Sequence, residues 1–395
     1  MTSPTSTSVP GERAGRRWRA WWRVVLLLLA PCPLAARAAE PVAELAPLPP
    51  VLEQPSELAA AEFEHATPVS FDDALLQSAP SPAHRVSFFA DLLIWNVREG
   101  AADNWAQEIA PPSGLANSGT VQLIDAPFDW NAGLRVGMAK QLNDGFDVGL
   151  AYTNFSTQAT NQASGAVYSA FLGNFYVDNT DGSSFGPHYE QAAVDWDFDF
   201  HAIDFEVGRT FVVDHSLTLR PYAGLKAAII DQTIHSRWQN PINDGSHVYL
   251  FDSAVENLQQ DFWGIGPAIG VTGTAPLHTS SSRSLRLVAS PSAAVMYGHW
   301  KFSDRYQNDG PTSTTIGTPT SIAIDASPID GAATMARGFV GIEWTQQFAG
   351  TTAAISLGYE AQVWLNQMQF YSFNMGRLNN LTSLQGGLIE LSFDF

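Results

Sequence analysis

The chain has 395 residues, a net charge of −19, only 15% charged residues and a mean hydropathy of −0.05. Its acidic balance disfavours a nucleic-acid partner, and no run reaches the roughly 18 consecutive apolar residues that a spanning helix needs. A soluble globule, or a membrane barrel whose short strands leave little trace in hydropathy, remains.

Residues 1–39 read as a secretory signal. Arg13, Arg16, Arg17, Arg19 and Arg23 give a basic start, Trp21–Ala30 a short apolar core, and Ala36-Arg37-Ala38 an A-x-A cleavage site. Cleavage would remove Cys32, the only cysteine, so disulfide and thiol chemistry are not expected. It would also remove six Arg and one Glu, leaving the rest more acidic still. Such an excess biases a pore towards cations or merely keeps surface loops soluble. Residues 40–83 are rich in Pro, Ala and Glu and read as a flexible periplasmic leader.

From Arg85 onward, segments alternate apolar and polar with period two, the mark of strands with one apolar face. Val86–Trp95 sets Phe88, Ala90, Leu92 and Ile94 against Asp91. Phe128–Lys140 sets Trp130, Ala132, Leu134, Val136 and Met138 against Arg135, and Asn143-Asp144-Gly145 is a hairpin signal. Phe146–Phe155 follows. Val194–Phe211 starts with Trp196, Phe198 and Phe200 outward, then shifts phase near His201–Ile203, which predicts a β-bulge. Leu217–Ile229 places Arg220 and Lys226 inward, and Gln260–Thr274 shows a Gly-rich inner face that would leave free volume. Leu285–Trp300 is less regular. Met335–Phe348 places Arg337 and Glu343 inward, and Ile355–Asn366 does the same for Glu360. The tenth segment, Gly386–Phe395, alternates to an aromatic last residue; an unpaired apolar edge of that kind aggregates unless a barrel closes on it.

Connections alternate long and short: 98–127, 157–192, 231–256, 303–333 and 371–383 against 141–144, 212–216, 275–283 and 349–351. Outer-membrane barrels have this asymmetry, with short periplasmic turns and long external loops. Trp130, Trp196, Tyr152, Trp263 and Tyr297 fall near external ends, and Phe146, Phe211, Trp344 and Phe395 near periplasmic ends, as two interfacial belts would. The expected fold is an all-β, transmembrane antiparallel β-barrel of about ten strands over residues 84–395. Strands hidden in Ala166–Asp178 or Thr320–Ala326 would make it twelve.

Charges in the hydrocarbon layer must face the lumen, since a lipid-facing Arg or Lys costs roughly 2–4 kcal/mol at midplane. The candidate constriction is Asp91, Arg135, Asp204, Glu206, Arg220, Lys226, Arg337, Glu343, Glu360 and Glu390. Those charges either filter solutes or pair to fill a narrow interior. His188, His201, His235, His247 and His299 lie in or near external loops. Even with Asp197 and Asp199 close to His201 they make no catalytic or metal-binding constellation, so neither an enzyme nor a cofactor is expected. Asp178–Gly182, Asn243–Gly245 and Asn308–Gly310 read as turn chemistry rather than calcium loops.

Several stretches resemble, in order, the Legionella major outer membrane protein family, pore-forming barrels also found in Planctomycetes. They are DWNAGLRVG at 129–137, DFEVGR at 204–209, LRPYAGLK at 219–226, FWGIGPAIG at 262–270, MYG at 296–298, GFVGIEW at 338–344, LGYEAQVWLNQ at 357–367 and GGLIELSFDF at 386–395. The resemblance implies a porin-like role in the outer membrane and names neither solute nor catalytic residue. Phe393 and Phe395 resemble the carboxy-terminal assembly signal of such barrels, so the expected partners are outer-membrane lipid, the barrel assembly machinery and small hydrophilic solutes. The alternative is a closed structural or adhesin-like barrel acting through its external loops.

Overall fold

The computed structural model describes residues 77–78, 85–110, 120–142, 145–170, 188–243, 249–310, 321–372 and 376–395. The chain divides into residues 1–72 and 73–395, and every described residue lies in the second unit. The proposed signal, Cys32, His247, Asp178–Gly182, Asn143 and Asp144 lie outside the described residues, as does nearly all of the leader.

Ten antiparallel strands form the wall: β1 Val86–Arg98, β2 Asn131–Gln141, β3 Phe146–Ser169, β4 His188–Arg209, β5 Thr218–Pro241, β6 Ser253–Thr279, β7 Arg283–Asn308, β8 Ile329–Phe348, β9 Thr351–Ser372 and β10 Gly376–Asp394. Each pairs with the next, and β10 closes on β1, with Ile389 opposite Leu92 and Phe393 opposite Phe88. Val86 and Phe395 exchange backbone hydrogen bonds at 3.0 and 3.3 Å, which seals the last strand and removes the free edge. Among the described residues the two suspected extra strands add nothing to the wall. Ala166–Ser169 continues β3, and Ser321–Asp325 pairs with the outer end of β7 as a flap. One short pairing, Gln77–Ser78 with Phe211–Val212, ties residues just ahead of β1 to the turn between β4 and β5.

A belt of exposed apolar side chains circles the wall, including Phe88, Leu92, Leu134, Val136, Leu150, Phe205, Leu225, Ile269, Val295, Val340, Leu357 and Leu391. A patch of that extent on a water-facing surface would drive association; around a closed barrel it is the lipid face. No helix of the described residues is long and apolar enough to cross a membrane, and the strands cross it instead.

The strands are longer than the sequence suggests. β3 and β5 have 24 residues and β6 has 27, whereas a tilted strand crosses in roughly 9–11. The surplus lies mainly at the outer end, so strands occupy much of the expected loops 157–192, 231–256 and 303–333, and most of the expected loop 371–383 belongs to β10.

The same extension corrects the reading of β4. Trp196, Phe198 and Phe200 are fully buried and face the interior, so Trp196 is not part of the outer girdle. The bulge expected at His201–Ile203 is absent, because pairing with β3 and β5 runs unbroken from Val194 to Gly208. The polarity changes while the register does not. Below His201 the outward residues are Ile203, Phe205 and Val207; above it they are Asp199, Asp197 and Asp195. In the membrane the apolar face looks out to lipid. Above it the apolar face looks in, as in a water-soluble core. A pattern that swaps sides at the membrane surface mimics a one-residue slip.

Candidate functional site

The interior has two layers. The periplasmic half holds the charges. Because register is shared around the sheet, one row joins Arg286, Glu343, Ser356, Glu390, Asp91, Arg135 and Thr153 across β7, β8, β9, β10, β1, β2 and β3. Arg135 donates to Asp91 at 3.2 Å, to Thr153 Oγ1 at 3.1 Å, and through both terminal nitrogens to Glu360 at 2.7 and 3.1 Å. Glu360 stands on β9, three strands away, so this fork crosses the bore. Arg337 donates to Glu360 from the other side at 2.7 Å, and Gln362 Nε2 donates to it at 2.8 Å. Glu360 is 0% exposed. Two planar guanidiniums and an amide on one carboxylate make a preorganised, charge-assisted cluster.

The other candidates pair nearby. Lys226 donates to Asp204 at 2.8 Å. Arg220 donates to Asp147 at 3.0 Å and to Glu206 at 3.2 Å, and Arg286 bonds Glu343. All ten charges singled out in the sequence face inward, together with Asp147 and Arg286, which the sequence reading left out. Asp147 directly follows the aromatic Phe146, and Arg286 lies in the irregular seventh segment. Both sit on the inward phase of their strands, which was the available signal.

The outer half is aromatic. Trp95, Phe155, Phe198, Phe200 and Trp364 are fully buried. Trp95 lies 5.6 Å from Phe155 and 6.4 Å from Phe200, and Phe200 lies 5.6 Å from Trp364. The layers touch, with the Arg135 guanidinium 5.7 Å from the Trp95 ring and Lys226 Nζ 6.0 Å from Trp364, cation–π distances.

The Gly-rich face of β6 does not provide the expected free volume. A side chain at Gly264 would meet the Phe262 ring at 2.7 Å, and one at Gly270 the Tyr222 ring at 2.4 Å. The glycines are seats for rings that lie flat against the wall, so the bore is filled, not widened.

Polar groups also lie within the outer half. Gln260 Nε2 donates to the Gln367 carbonyl at 3.0 Å, and Trp300 Nε1 donates to the same carbonyl at 3.1 Å. Glu99, which follows β1 beyond the lipid belt, is 0% exposed and accepts from Thr382 Oγ1 at 2.8 Å. Burial, aided by the charge of Asp103, pushes the Glu99 carboxyl well above the ordinary carboxylate range. Folded protein therefore keeps this proton where unfolded chain has lost it, and stability falls as pH rises above the unfolded value of 4.5. Glu99→Gln has no proton to lose. Its unfolding midpoint relative to wild type is expected to rise as the pH is raised above the unfolded value of 4.5; parallel pH profiles would contradict the assignment.

The histidines lie apart from this interior chemistry. His201 faces outward and shares Nδ1 contacts with Tyr152 and Asn154 at 3.0 Å. His235 meets Asn257 at 2.5 Å, His299 meets Asp330 at 2.7 Å, and His188 stacks on Tyr168. Among the described residues no group of three or more His, Cys, Asp or Glu is placed to hold a metal ion.

A closed antiparallel barrel with an exposed apolar belt, inward charges and short turns at one end is an outer-membrane β-barrel protein. The family model described as Legionella pneumophila major outer membrane protein precursor matches residues 78–395, so the chain belongs to that family of outer-membrane proteins. No match was found among curated proteins. Among solved structures, the Pseudomonas putida toluene transporter TodX is similar over 80% of this chain and 89% of its own, with 6% identity and a TM-score of 0.26. A Pseudomonas aeruginosa FadL homologue is similar over 80% and 90%, with 8% identity and a TM-score of 0.22. A loop-deleted OmpT of Vibrio cholerae is similar over 79% and 100%, with 9% identity and a TM-score of 0.14.

Proposed function

We propose that this protein is a gated channel of the outer membrane, closed at rest, that passes small solutes with an apolar or aromatic part. One observation carries the reading: the bore stacks two chemistries in contact, rings in the outer half and paired charges in the periplasmic half. A solute with an apolar body replaces ring–ring contacts with its own, and its polar end then meets Arg135 and Lys226.

The small hydrophilic solutes expected from the sequence would lose their water in the aromatic layer without matching hydrogen bonds. Their passage belongs to an opened state. There the inward acids Asp91, Asp147, Asp204, Glu206, Glu343, Glu360 and Glu390 outnumber Arg135, Arg220, Lys226, Arg286 and Arg337, a weak bias towards cations. The fully buried rings favour a second reading, a closed scaffold or adhesin. Under either reading the partners are outer-membrane lipid and the machinery that inserts the barrel, with no catalytic role.

Uptake by intact cells with and without the protein separates the two. A small aromatic dye is expected to enter in proportion to the protein while a sugar of similar size is not. Dye uptake independent of the protein would leave the closed scaffold.

A further inference from the structure

The wall is complete in the lipid belt but not above it. β2 begins at Asn131, opposite Trp95 of β1, and meets β3 only as far as Asn154. Above those pairs no described strand joins β1 to β3 until Asn104–Ala110 pairs with Val167–Ser169 near the outer end. Residues 126–130, which have no regular structure, cover the gap.

They are held mainly by side chains. Asn96 Nδ2 donates to the Phe128 carbonyl and Thr157 Oγ1 to the Asp129 carbonyl at 3.4 Å, and beside the segment Asn161 Nδ2 donates to the carbonyl of Asp125, which ends the strand Thr120–Asp125, at 2.5 Å. Asn131 Nδ2 donates to Thr157 Oγ1 at 2.7 Å. Among the described residues the segment's one backbone bond runs from Ala126 N to the Asp103 carbonyl at 2.8 Å. A ladder opens only with its neighbours, whereas a strap held by isolated bonds opens alone, at lower cost. The Phe128 ring points inward, 5.3 Å from Trp196 and 6.2 Å from Phe198. Trp130, two residues on, is 58% exposed at the level of the outer girdle.

We propose that residues 126–130 form a side door in the barrel. Withdrawal of Phe128 opens a lateral passage, at the outer membrane surface, into the aromatic layer, and the molecule it admits is small and apolar or aromatic. This rests on the channel reading above and adds the route of entry. The chemistry follows from the lining. Phe128, Trp196 and Phe198 offer ring faces to an apolar guest and little to a hydrated one. From Phe198 the rings lead to Phe200, Trp95 and Trp364, and so to the charges below.

The test locks the door. In a Cys32→Ser background, Asn131→Cys with Thr157→Cys places two thiols where side chains already meet, and folding is checked by heat-modifiable migration. In intact cells, oxidation is expected to abolish protein-dependent uptake of a naphthylamine dye, and a reductant to restore it. Phe128→Ala is expected to raise uptake several-fold. Undiminished uptake with the disulfide formed would overturn the side door and leave the channel standing. No protein-dependent uptake in wild type or Phe128→Ala would overturn the channel reading, and the door with it. Hydrogen exchange gives an independent measure: the Ala126 amide is expected to exchange faster than that of Leu93 in β1, and equal protection would count against the door.

Discussion

Arg135→Met is expected to destabilise the barrel by about 3–5 kcal/mol, the cost of breaking a buried ion pair from one side. Arg135 is the shared partner of Asp91 and Glu360, and its own side chain is almost wholly buried. Removing it leaves Asp91 without its ion-pair partner and Glu360 with Arg337 as its remaining guanidinium. Arg135→Lys is no remedy, because an ammonium cannot make the bidentate fork across the bore. Adding Asp91→Asn to Arg135→Met removes the unpaired carboxylate while Glu360 keeps Arg337, and is expected to recover much of the loss. Denaturant unfolding of the refolded protein in vesicles measures both. Additive losses in place of recovery would show that Arg135 acts through packing alone.

The second large effect concerns the outer layer. Trp95→Ala with Phe200→Ala removes two rings that touch each other and span from β1 to β4. Each truncation is expected to cost about 3–5 kcal/mol where the site cannot collapse, and barrel walls collapse little because their hydrogen bonds fix the strand spacing. The vacated volume adjoins the charged cluster, so water enters rather than leaving a dry void. The double variant is therefore expected to conduct ions in planar bilayers far more than wild type. A silent double variant that migrates as a folded barrel would show that the seal lies elsewhere in the bore.

The lipid-facing half of every strand but the seventh was plainly legible in the sequence. Phe88, Leu92 and Ile94 against Asp91, or Ile355, Leu357 and Tyr359 against Ser356 and Glu360, alternate because water-averse and charged groups must take opposite faces of a wall that separates lipid from lumen. The same constraint made the inward charges legible, since in that layer a charge has one tolerable direction. Closure of Gly386–Phe395 on Val86–Trp95 followed from the need to remove an apolar edge. The outer half was not legible for a physical reason. Above the membrane the solvent outside is water, the apolar face turns inward, and Trp196, Phe198 and Phe200 keep their register while exchanging lipid for core. Asp, Asn and Gly residues that signal loops elsewhere stand there on strand faces exposed to water, as Asn240 and Asn257 do. The seats at Gly264 and Gly270 were misread as empty because the rings that fill them come from elsewhere, Tyr222 from the neighbouring strand and Phe262 from two residues away on the same one. The strap over 126–130 had no pattern to read, being held by single side-chain bonds rather than a repeat.

The central claim is that the bore is sealed at rest by rings over paired charges. Single-channel recording of the unmodified, full-length protein in planar bilayers tests it most directly. The expected record is a closed baseline broken by brief openings, with no steady conductance at either polarity. A sustained, ohmic open level in wild-type protein would contradict the account.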